Sequence, residues 1–139
     1  MSSYLNIYLV PKRKDKEKDE KQYLLLTSYS RSSDVYEAFY ENINPAFAGN
    51  EEKYTTLSKE NVQSALNDVS KSINLTKEKL KLYEKYASDH PDYIQSIIDE
   101  REVLKDYEQT YGDVAFISDI VSDTIEGYNS FEEVCCNID

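Results

Sequence analysis

The sequence predicts an α+β fold, a small antiparallel β-hairpin or sheet packed with a long antiparallel helical hairpin plus a third helix. Three patterns predict it. Residues 4–10 and 22–30 are short runs of aliphatic, aromatic and β-branched side chains with the period-two alternation of half-buried strands. Residues 59–88 place Val62, Leu66, Val69, Ile73, Thr76, Leu80, Tyr83 and Ala87 at the alternating four- and three-residue spacing of a helical seam. A second helical pattern begins two or three residues after the first ends, which forces the two helices to lie side by side and antiparallel.

Taken in order, the first strand puts Leu5, Ile7 and Leu9 on one face and Tyr4, Asn6 and Tyr8 on the other. The second sets Tyr23, Leu25, Thr27 and Tyr29 opposite Leu24, Leu26 and Ser28. One side of the hairpin therefore reads as aliphatic core and the other as a Tyr-bearing face. Residues 11–21 between the strands are polar, charged and aperiodic, and are expected to form a mobile loop. Ser32, Ser33 and Asp34 offer capping oxygens to a short helix of about 34–43, with Val35, Phe39 and Ile43 on one side and Asn44-Pro45 as its stop. Residues 45–53 read as a loop. Tyr54-Thr55-Thr56-Leu57 has strand propensity, and Ser58 caps the long helix, with Glu60 in its first turn to complement the helix dipole.

The second long helix is expected to begin at Pro91 and to run through Tyr93, Ile97, Leu104, Tyr107 and Tyr111, with Glu100 interrupting its seam. Gly112 is expected to break or kink it. Val114, Ile117, Val121 and Ile125 then define a third helix, ended by Gly127. The tail 128–138, in which Phe131, Val134, Cys136 and Ile138 alternate with Glu132, Glu133 and Cys135, reads as a returning strand. The expectation is one domain over 1–139: β-hairpin, short helix and third strand in 1–57, helices in 58–127, last strand in 128–139.

A chain of 139 residues is long enough to bury roughly two thirds of its unfolded surface without a disulfide or a metal. Thirteen of its apolar residues are tyrosines, so the core must be finished with amphipathic rings. The net charge of −11 is unevenly spread. Lys12, Arg13, Lys14, Lys16, Lys18 and Lys21 share one window with four acids, whereas no basic residue follows Lys105 and nine acids do. Such a negative quarter repels nucleic acid and anionic membrane and attracts a basic protein surface. There is no apolar run long enough to span a bilayer and no secretory signal pattern, so the expected location is cytoplasmic, with the vicinal Cys135-Cys136 pair reduced.

The residue types that carry chemistry are scarce. His90 is the single histidine, and the two cysteines are adjacent, without the intervening residues that let two thiolates face one ion. Gly49, Gly112 and Gly127 stand alone, so no glycine-rich phosphate cradle is present. No catalytic residue, cofactor or metal is expected. His90-Pro91-Asp92, in the turn between two antiparallel helices, resembles the signature turn of the J-domain family of co-chaperones, which engages a heat-shock ATPase. Lys77, Lys79, Lys81 and Lys85 on the preceding helix resemble that family's basic contact face, while Leu82, Lys85 and Tyr93 stand where the family carries Tyr, Leu and Lys.

What remains is surface. The sequence is read as a non-enzymatic acidic protein, monomeric or homodimeric, that binds a protein partner with a basic surface and neither nucleic acid nor membrane. A virus- or mobile-element-encoded inhibitor of a nucleic-acid-handling protein would have this character, its carboxylates standing in for phosphates. The alternative is a structural or assembly component, such as a virion subunit, that self-associates through the heptad seam. The candidate contact residues are Tyr4, Tyr8, Tyr23 and Tyr29 on the strands and Asp106, Glu108, Asp113, Asp119, Asp123 and Glu126 in the acidic region, with His90, Pro91 and Asp92 as a turn of interest.

Overall fold

The computed structural model describes residues 4–47 and 54–138, and of residues 44–47 the backbone alone. In chain order the elements are β1 (Tyr4–Pro11), β2 (Leu24–Ser30), α1 (Asp34–Phe47), β3 (Thr55–Thr56), α2 (Lys59–Tyr86), α3 (Tyr93–Glu126) and β4 (Phe131–Ile138). The four strands form one antiparallel sheet in the order β2-β1-β4-β3. The α+β class and the antiparallel helical hairpin stand as expected. The tail returns as a strand, as expected, and takes an inner place: β4 lies between β1 and β3. Among the described residues no helix is long and apolar enough to cross a membrane.

Alternation assigns the two faces. Leu5, Ile7, Val134 and Cys136 point inward and join Val35, Phe39 and Ile43 of α1, Val62, Ala65 and Val69 of α2, and Val114, Ile117 and Val121 of α3 in one core. The outer face is also covered. There the rings of Tyr23 and Tyr54 stack at 3.7 Å, with Tyr8 edge-on at 5.2 Å from Tyr54. Cys135, paired opposite Tyr8, is only 1% exposed on that face. Asn6 donates to the Asn137 carboxamide oxygen and accepts from the Ser28 hydroxyl, a polar rung across three strands.

The hairpin departs from simple alternation. A bulge between Ile7 and Tyr8 pairs Ile7 with Thr27 but Tyr8 with Leu25, leaving Leu26 as the extra residue. The second strand therefore does not keep one side throughout. Thr27 and Tyr29 share the inner face with Ile7 and Leu5, whereas Leu25 lies with Tyr8 outside. The loop 11–21, expected to be mobile, is organised around Arg13. Its guanidinium donates to Glu132 at 2.7 Å and to the carbonyls of Lys16 and Asp19, while Lys21 reaches Glu133 at 2.9 Å.

The helices explain two further differences. Ser33 caps α1 through the amide of Val35, but the helix continues through Asn44-Pro45 to Phe47. Pro45 stands within its last turn, so the hydrogen bond its missing amide forgoes lies at the end of the helix, with only two residues left to follow. Of the loop placed at 45–53, residues 48–53 lie outside the described residues. Ser58 caps α2 by accepting from the amide of Asn61, as its position predicts. Gly112 does not break α3, which runs unbroken for 34 residues. One interior glycine costs only about 1 kcal/mol, which the packed seam on either side outweighs. The third helix of the fold is thus α1, not a separate segment after Gly112. Gly127, with φ of 78°, ends α3 in the left-handed conformation, its amide bonded to the Thr124 carbonyl and that of Tyr128 to the Asp123 carbonyl.

The α2–α3 connection spans residues 87–92, longer than the two or three residues expected, with α3 starting at Tyr93 two residues beyond Pro91. The predicted α2 seam is internal: Val62, Val69, Thr76 and Leu80 are buried, and Leu66 and Ile73 pack on the core. On α3 the register drifts at mid-helix and at the C-terminal end. Thr110 and Thr124 are buried where Tyr111 and Ile125 were expected, and Ile125 is 65% exposed. Both threonines satisfy their hydroxyls on the carbonyl four residues earlier, which lets a polar side chain occupy a helix seam without an orphaned group.

Candidate functional site

The helices α1, α2 and α3 meet along a groove lined by carboxylates. Asp34, Glu37 and Glu41 lie on α1 at three- and four-residue spacing, so they share one face beside the apolar one that packs on the core. Asp68 of α2 stands across from them and accepts from the Asn42 carboxamide at 2.9 Å. Val69, Ala38, Tyr107 and Thr110 form the floor and far wall. An adjoining hollow, built from Ser32, Ser33, Asp34, Asp106, Gln109, Thr110 and Asp113, continues the groove toward the end of β2. Six carboxylates therefore line these two adjoining hollows, which share Asp34 and Thr110, and among the described residues no lysine, arginine or histidine lines either.

The candidates singled out by sequence divide. Asp106 and Asp113 lie in the groove. Glu108, Asp119, Asp123 and Glu126 are exposed and, at intervals of eleven, four and three residues, form a separate stripe on α3. Tyr29 has turned to the inner face and senses Asp113: burial raises its phenol above the ordinary value, a hydrogen bond with Thr27 opposes this, and the Asp113 charge adds to it. Tyr8 and Tyr23 spend their rings on each other and on Tyr54, which sequence reasoning left out. Tyr4 is 43% exposed at the start of β1. Asp34, Glu37, Glu41 and Asp68 were also missed. The signal for the first three was available, since their spacing puts them on one side of a helix.

The other chemistry-bearing groups lie elsewhere. His90 is exposed at the far end of the helical hairpin, its ring stacked on Tyr93 at 4.8 Å. Cys135 and Cys136 point to opposite faces of β4 and are free thiols. Burial pushes both up to about 12, which keeps them protonated and poor nucleophiles. Among the described residues no group of His, Cys, Asp and Glu is arranged to hold a metal ion. The groove is suited to binding cationic groups by charge and by hydrogen bonds from ammonium or guanidinium donors. Set against protein-family models, curated proteins and solved structures, the chain matches none.

Proposed function

We propose that the protein is a non-enzymatic binding protein whose acid-lined groove receives a basic segment of a protein partner. The convergence of six carboxylates from three helices, with no cation among the described lining residues, carries this reading. Exposed ion pairs are worth at most about 1 kcal/mol each, so the groove contributes specificity and association rate more than raw affinity. A finer proposal follows the same charge map. The partner is a nucleic-acid-handling protein inside the cell, and the carboxylates occupy its phosphate-binding surface, as an inhibitor encoded by a virus or mobile element would do.

Two variants with equal change in charge test the reading. Asp34→Asn, Glu41→Gln, Asp106→Asn and Asp113→Asn together remove four of the six groove carboxylates, and Glu108→Gln, Asp119→Asn, Asp123→Asn and Glu126→Gln neutralise the exposed stripe. Binding of an arginine-rich peptide is measured by stopped-flow at several salt concentrations. The groove variant is expected to lose most of the salt-sensitive association rate and the stripe variant to retain it. Equal losses in both mean that only net charge matters and that the groove is not the site.

A further inference from the structure

The seam predicted to mediate self-association is spent inside the molecule, but α2 carries a second apolar stripe that is not. Asp68 and Ser72 face α1, as the Asn42 bond and the groove lining show. The same face continues at intervals of three, four, three and four residues through Leu75, Lys79, Leu82 and Tyr86. The described part of α1 begins opposite Ser72 and does not reach further out. Leu75, Leu82 and Tyr86 are accordingly 56%, 59% and 43% exposed. On α3, Thr110 and Tyr107 line the groove, and Val103, four residues earlier on that side, is 38% exposed. Beyond Ile73 the hairpin projects as an arm about 20 Å long at 1.5 Å per residue, with this face uncovered among the described residues.

The charges of the arm say what covers it. Residues 71–86 of α2 hold five lysines against two glutamates, a net +3, and residues 93–108 of α3 hold Arg101 and Lys105 against five acids, a net −3. The two already pair within one hairpin, Lys79 with Glu100 at 2.7 Å and Arg101 with Glu84 at 3.3 Å. A basic partner would meet a repelling α2 and an acidic partner a repelling α3. A second hairpin of the same kind, related by a two-fold axis parallel to the helices, sets α2 against the partner's α3 and α3 against its α2, so that charge alternates around four helices. We propose that the exposed face of the arm is a homodimer interface, in which Leu75, Leu82, Tyr86 and Val103 of two copies close an antiparallel four-helix bundle. This surface is distinct from the acid-lined groove and does not depend on the function proposed for it.

Sedimentation velocity of the full chain over a concentration series tests the assignment. The wild type is expected to pass from monomer to dimer. Leu82→Glu is expected to weaken the dimer by on the order of 100-fold or more, because the two-fold axis removes two leucines from the interface at once. Its circular dichroism is expected to stay unchanged, since the side chain is mostly exposed in one copy. Ile98→Glu, equally exposed but off this face, is the control and is expected to dimerise normally. A wild type that stays monomeric to its solubility limit overturns the proposal. So does a dimer that Leu82→Glu leaves intact, or one that Ile98→Glu disrupts equally, including association through any other surface.

Discussion

Gly112 inside α3 and Gly127 just past its end lie fifteen residues apart, and the structure predicts opposite consequences for the same substitution. Gly112 sits inside α3, and beyond its own helix turn nothing lies within 4 Å of where a Cβ would be built. Replacing it with alanine costs nothing sterically and removes the extra backbone freedom of the unfolded chain, a gain of about 1 kcal/mol. Gly127 also has open space, but its φ of 78° is a conformation that an L side chain adopts only at a cost of about 1–2 kcal/mol. Gly127→Ala is therefore destabilising by about that amount. Urea unfolding followed by circular dichroism checks both, with midpoints expected to shift in opposite directions at constant slope. If the helix broke at Gly112, the alanine there would meet a non-helical backbone and Gly112→Ala would destabilise. That outcome, or two shifts of the same sign, refutes the continuous helix.

Other perturbations discriminate as sharply. Ile117→Ala is expected to cost about 2–5 kcal/mol and Ile125→Ala less than about 0.5, although both occupy the same predicted seam, because the first is fully buried and the second 65% exposed; denaturant midpoints decide. A thiol reagent at mildly alkaline pH is expected to leave Cys135 and Cys136 unmodified in the native protein and to label both after denaturation, since burial pushes each thiol up to about 12. Burial raises the Glu132 carboxyl, but the Arg13 hydrogen bond and charge, with Lys16, outweigh it and hold the group below the ordinary carboxylate value. Its contribution to stability is then present above the unfolded value and lost as pH falls through the depressed one, so Arg13→Ala is expected to flatten the acid limb of the stability–pH curve below about pH 4.5.

The element types were legible because their periods are strong. The α2 seam from Val62 to Leu80 needed only spacing, and the Ser58 cap only its position. Two kinds of information were not local. The bulge at Leu26 reverses which side Tyr29 faces, and it is set by pairing with β1 rather than by any pattern within β2. The central place of β4 likewise depends on which strands it finds, over a separation of more than a hundred residues. In the middle and at the C-terminal end of α3 the expected Tyr111 and Ile125 yielded to Thr110 and Thr124, whose hydroxyls bond back to the helix and so behave as small core residues. The groove was half legible. Asp106 and Asp113 belonged to an acidic run visible in the sequence, whereas Asp34, Glu37, Glu41 and Asp68 needed the packing of α1 onto α2 and α3 to become neighbours of it.

The two proposed surfaces divide the charge of the chain between them, and this makes them separable by salt. The arm segments 71–86 and 93–108 cancel, so the whole −11 lies in the rest of the chain. Binding at the groove is driven by charge and should fall steadily as the Debye length shrinks from about 10 Å at 0.1 M salt to about 3 Å at 1 M. The arm holds its charges in balanced pairs beside exposed leucines. Salt weakens the alternating pairs, but it also screens the mutual repulsion of two strongly acidic bodies and leaves the apolar contribution in place. Dimerisation is therefore expected to persist at a salt concentration that abolishes binding of a basic peptide. A Leu82→Glu chain should show the converse, binding the peptide at low salt as a monomer. If salt removed both together, the arm would be held by net charge rather than by its apolar face, and the separation of the two surfaces would fail.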